Sequence, residues 1–102
     1  MNTTPIRCKQ ILEQYYGTQF QGMVLYGSYA CHQETEESDL DLLVLLSQPF
    51  DYFQELRRIV ELLYPVQLES DALISAKPAD IEAYRKGELQ LYRNILREGV
   101  TI

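Results

Sequence analysis

At 102 residues the chain has room for one hydrophobic core and for no separate substrate domain. Its 46 % hydrophobic and 24 % charged residues suit a water-soluble globular protein, and no apolar run is long enough to span a bilayer. A net charge of −6 argues against nucleic acid as the main partner, because phosphates would be repelled; it fits a basic partner protein, or simply keeps the chain in solution.

In chain order, Thr4-Pro5 reads as a helix start, Ile6, Ile11, Leu12, Tyr15 and Tyr16 recur at helical spacing, and Gly17 ends the segment. Cys8 and Cys31 have no metal-ligand spacing, and the N-terminus lacks the charged start and apolar stretch of a secretory leader; a cytoplasmic protein with reduced thiols is expected. Met23 to Tyr26 is a buried strand, followed by a polar, acidic loop over Tyr29 to Ser38 that holds the single histidine, His32. Leu40 to Leu46 is apolar on both faces, which predicts a central strand covered on both sides.

The pattern then predicts a second helix from Pro49 to Pro65, with Phe50, Phe53, Leu56, Val60 and Leu63 inward. Val66 to Ile74 alternates, predicting a third strand with Gln67, Glu69 and Asp71 on its polar face. Pro78-Ala79-Asp80 opens a last helical region with a break at Gly87 and a stop at Gly99. Helices and strands in this order make a single α/β domain over residues 1–102.

The chemistry concentrates in Gly27-Ser28-(ten residues)-Asp39-Leu40-Asp41. Asp39 and Asp41 are two apart in an extended segment and so point the same way. Their mutual repulsion is most simply relieved by a divalent cation. Gly27 permits a sharp turn and close approach of a ligand, while Ser28 offers a hydroxyl and backbone N–H groups to phosphate oxygens. If the third strand lies beside the second, Asp71 or Glu69 adds a third carboxylate and completes a set of hard oxygen donors suited to Mg²⁺. Such a set supports in-line attack on the α-phosphate of a nucleoside triphosphate.

The strings Val24-Leu25-Tyr26-Gly27-Ser28-Tyr29-Ala30 and Ser38-Asp39-Leu40-Asp41-Leu42 resemble the polymerase β-like minimal nucleotidyltransferases, and the resemblance runs from the first helix to Gly99. It implies that family's fold, a small mixed β-sheet flanked by helices. It also implies that Asp39, Asp41 and a third acid (Asp71, with Glu69 as alternative) bind Mg²⁺ and carry catalysis, and that Gly27 and Ser28 hold ATP. The chain departs from the family where Ala30 is followed by Cys31-His32 instead of arginine and glycine. Many such proteins are antitoxins encoded beside HEPN-domain toxins. The resemblance therefore implies AMP transfer from ATP to a tyrosine of a HEPN toxin and a hetero-oligomer with it. The alternatives are a non-catalytic module that masks the toxin, or a nucleotidyltransferase acting on a small molecule.

Overall fold

A computed structural model describes residues 3–27 and 39–102. The elements are α1 (Thr4–Tyr16), a short 3₁₀ turn (Gly17–Gln19), β1 (Phe20–Tyr26), β2 (Leu40–Leu46), α2 (Tyr52–Glu69), β3 (Ile74–Asp80), α3 (Ile81–Arg85), α4 (Gln90–Glu98) and β4 (Val100–Thr101). The strands form one sheet in the order β3-β2-β1-β4. β1 runs antiparallel to β2 and to β4, whereas β2 and β3 are parallel, with α2 as the crossover that parallel neighbours require. The expected mixed sheet with flanking helices is what the chain forms.

β2 divides the interior in two. Leu40, Leu42, Val44 and Leu46 pack with Cys8 and Leu12 of α1 and with Ile59, Leu63 and Val66 of α2. Leu43 and Leu45 face the other way, onto Val24, Ala79, Ile81, Tyr84, Tyr92 and Ile95. Burial on both faces is why this strand is apolar at every position from 42 to 46. β1 extends three residues further upstream than its apolar run suggests, through a register irregularity between Phe20 and Gly22. The two-residue β4, which the sequence pattern does not announce, pairs Thr101 with Val24.

The structure corrects the middle of the chain. α2 starts at Tyr52, capped by the Asp51 carboxylate, which accepts from the Gln54 backbone N–H at 2.9 Å. It runs through Pro65 to Glu69 instead of closing at the proline. Its buried stripe is Ile59, Leu63 and Val66, while Phe53 and Val60 are 68 % and 58 % exposed. The strand predicted over Val66 to Ile74 is therefore the last turn of α2 and a bend. Gln67 fixes that bend: its Nε2 donates to the Ala72 carbonyl at 3.0 Å, and its Oε1 accepts from the Ile74 N–H at 2.6 Å. The third strand begins only at Ile74.

Beyond β3, the Asp80 carboxylate caps α3 by accepting from the Glu82 N–H at 3.1 Å. The break at Gly87 is real: its φ is +64°, and its carbonyl accepts from Arg93 Nη1 at 2.7 Å, which ties α3 to α4. α4 stops at Gly99 as the sequence predicts. Among the described residues no helix is long and apolar enough to cross a membrane.

Candidate active site

The alternation of β2 decides where its acids point. Leu40 and Leu42 belong to the core under α1 and α2, so Asp41 projects from the opposite face, that of α3 and α4. Asp39, exposed just before the strand, lies near enough for its charge to act on Asp41. In the register Asp41 stands between Tyr26 of β1 and Ser75 of β3, at the end of the sheet where β1 finishes and β2 begins.

Half-burial pushes the Asp41 carboxyl above its ordinary value, and the negative charge of Asp39 pushes it further; Lys77 pulls it partly back. The pair is thus a site whose charge the protein only partly offsets. Gly27 closes the site from the β1 side. Its φ of +77° is one that side chains rarely adopt, and a methyl group there would overlap the Asp41 carboxylate oxygen. The glycine is required twice, for the turn and for the contact. Ser28 lies outside the described residues, as do Cys31 and His32.

Among the described residues, the carboxylates expected to join this pair are not gathered with it into a three-acid cluster. Glu69 ends α2 and forms an ion pair with Arg7 of α1 at 2.7 Å. Asp71 is exposed on the bend before β3. Among the described residues, no group of three histidine, cysteine or acidic side chains is assembled to hold a metal ion. The reason is the late start of β3, which sets Ser75 beside Asp41 and Lys77 beside Leu43.

Two residues enter the site that the motif does not single out. Tyr26 pairs with Asp41, and its hydroxyl is buried with no hydrogen-bond partner among the described residues; burial first, then Asp41, push that hydroxyl up to about 12. Lys77 acts on Asp41 from β3 through its charge. The apolar string Met23-Val24-Leu25-Tyr26 makes Tyr26 look like core, and the proline beside Lys77 conceals its strand. A cavity of about 150 Å³ adjoins Gly27 between β1 and α4, lined by Tyr26, Gly27, Leu91, Asn94, Ile95 and Glu98. A larger hollow of about 420 Å³ along the outer side of α2 is lined by Asp51, Gln54, Arg57, Arg58 and Glu61 and shares no residue with the aspartates.

The donor set fits Mg²⁺. This ion commonly takes one or two carboxylates and completes its shell with water and substrate phosphates. Two neighbouring carboxylates, the charge of Asp39 acting on Asp41 and the Asp41 oxygen lying against the Gly27 turn, meet that description.

Residues 7–102 match the family model described as Polymerase beta, Nucleotidyltransferase. A protein of Methanocaldococcus jannaschii whose name proposes a protein adenylyltransferase, MJ0604, is 32 % identical over 89 residues, covering 86 % of this chain and 83 % of its own length. Among solved structures, a toxin-antitoxin complex, MntA-HpeT, matches with a TM-score of 0.63 at 20 % identity, covering 100 % of this chain and 72 % of its counterpart. A toxin-antitoxin structure with AMP-PNP matches at 0.55 and 18 % identity, covering 97 % and 69 % of the two chains. These structural likenesses are likenesses of fold. The chain, matched over nearly its whole length, belongs to the polymerase β nucleotidyltransferase family.

Proposed function

We propose that the chain transfers AMP from ATP to a tyrosine hydroxyl of a HEPN-type partner toxin and is thereby its antitoxin, the two forming a cytoplasmic hetero-oligomer. The observation that carries the reading is the Asp39–Asp41 pair at the mouth of β2, one of its carboxylates packed against the Gly27 turn. The name of the Methanocaldococcus jannaschii relative supports protein as the acceptor, and the toxin-antitoxin neighbours, one with AMP-PNP, support ATP and a toxin partner. The net charge of −6 supports a basic partner surface.

In the transfer, the acceptor oxygen forms a bond to the α-phosphorus while the bond from that phosphorus to the β-bridging oxygen breaks, and pyrophosphate leaves. Asp39 and Asp41 would hold Mg²⁺, which when bound supplies positive charge to the phosphates as that bond breaks. The Gly27 turn, with Ser28, would seat the β- and γ-phosphates. Asp71, on its bend, would complete the site and take the acceptor proton if binding of the partner brought it in, and Glu69 is the alternative.

Co-expression with the partner and mass spectrometry tests the reading. The partner should gain one AMP on a tyrosine, and the Asp39→Asn/Asp41→Asn variant should leave it unmodified. A partner that is bound and silenced without the adduct would replace transfer with masking. An adduct on a small molecule alone would remove the antitoxin role.

A further inference from the structure

The strand beside β2 brings a cation to the aspartate face of the sheet. Residues paired across parallel strands point to the same side, so Ser75 shares the face of Asp41 and Lys77 shares the face of Leu43. Ala76 packs under α1 and α2 and Ala79 against the α3 and α4 core, which confirms that Ser75 and Lys77 stand on the aspartate side of β3.

Lys77 is half-buried there, and among the described residues it makes no ion pair and no hydrogen bond. Its charge nevertheless acts on Asp41. A lysine on an edge strand normally extends its head into water. Here it is partly withdrawn from water without closing onto Asp41, so among the described residues its ammonium donors are open to an incoming group.

The charge balance names the class of that group. Two aspartates and one divalent cation sum to no net charge, so a further cation beside them adds attraction for a polyanion. Lys77 makes the loaded site positive. It cannot help to hold a metal ion, because like charges repel, but an ammonium is a good point charge for phosphate oxygen. We propose that Lys77 binds the phosphate chain of the nucleotide, a substrate contact standing on β3 on the same face as Asp41. The proposal rests on the nucleotidyltransferase reading of the Asp39–Asp41 site.

Calorimetry on the full chain tests it, with the Mg²⁺ complex of AMP-PNP and with Mn²⁺ alone as probes. Lys77→Met keeps the apolar stem and should weaken the analogue by about tenfold, as loss of a charged hydrogen bond does. Lys77→Arg should restore it to within roughly threefold, and Mn²⁺ alone should bind the methionine variant as well as, or better than, the unsubstituted chain. Lys77→Gln provides the same comparison should methionine disturb the edge strand. Unchanged affinity for the analogue in a folded Lys77→Met chain would overturn the proposal, and so would a parallel loss of Mn²⁺ and analogue, which marks a structural role. Failure of the unsubstituted chain to bind the analogue would overturn the nucleotide reading and this proposal with it.

Discussion

The two faces of the sheet are built differently. Under α1 and α2, four consecutive inward positions of β2 meet two long helices, and the face is closed from one end of the strand to the other. Under α3 and α4 only Leu43 and Leu45 are covered, by helices of five and nine residues, and the strand's first inward-facing position on that side is Asp41. Short helices leave the mouth of the strand open. One face supplies stability, and the other gives up part of its burial to hold a charged pair half in water.

The largest effect that separates the faces is on chemistry. Replacing Asp39 and Asp41 by asparagine should slow transfer by about a thousandfold, on the scale of removing charge stabilisation from a transition state. The fold should survive, because repulsion is removed along with function. Labelling with α-phosphate-labelled ATP and circular dichroism on the same sample check both halves. Leu42→Ala should do the reverse. The side chain is fully buried on the closed face, so its loss should cost about 2–5 kcal/mol in denaturant unfolding while the folded fraction keeps its turnover.

Gly27→Ala should sit between the two. Its positive φ costs a residue with a side chain about 1 kcal/mol, and the new methyl must push the Asp41 carboxylate aside. We expect a small drop in melting temperature with a loss of activity out of proportion to it.

Asp41→Asn alone gives the smallest effect on stability, and its sign is fixed. A carboxyl raised above its ordinary value of 3.8 favours the folded state when protonated. That contribution is full below the ordinary value and is lost as pH rises through the raised one. Asparagine has no such loss, so the variant should melt higher than the parent at neutral pH, with the difference shrinking as the pH falls below the window. Added Mg²⁺ should raise the melting temperature of the parent and leave the variant nearly unchanged. Cys8 offers a control on the closed face: burial pushes its thiol up to about 11, so alkylation at neutral pH should proceed only as fast as the chain opens.

Some of this was legible in the sequence and some was not, for separate reasons. β2 could be bounded to the residue because, Asp41 aside, a strand buried on both faces is apolar at every position and is flanked by polar ones. The helix break at Gly87 and the stop at Gly99 were legible because each glycine has a local duty. At Gly87 it is the left-handed turn; at Gly99 it is contact with Val24 and Ile95, which leaves no room for a side chain. Pro65 misleads because the helix runs through it despite the lost hydrogen bond and the clash of its ring with the preceding turn, the buried Ile59, Leu63 and Val66 holding the turns on both sides of it.

The short alternation over 66–74 fits a helix end as well as a strand, and Gln67, bonded to the backbone of Ala72 and Ile74, together with Ser70, bonded to that of Ala72, settles the matter in three dimensions. β3 is hidden for the complementary reason. Ser75, Lys77, Pro78 and Asp80 are poor strand formers, and the segment is extended because it lies at the sheet edge against β2, where a proline without an N–H is tolerated. The aspartate pair was readable as motif. The cation on the neighbouring strand, opposite Leu43, depends on register, which no local pattern encodes.

The central claim is that two aspartates at the mouth of β2 and the glycine turn beside them form one site for a metal–nucleotide complex. Diffraction from crystals grown with Mn²⁺ and AMP-PNP tests it directly. We expect an anomalous peak bridging the carboxylates of Asp39 and Asp41, with the phosphate chain running from it onto the turn at Gly27. Nucleotide bound elsewhere, with both carboxylates facing solvent and no anomalous density between them, would contradict it.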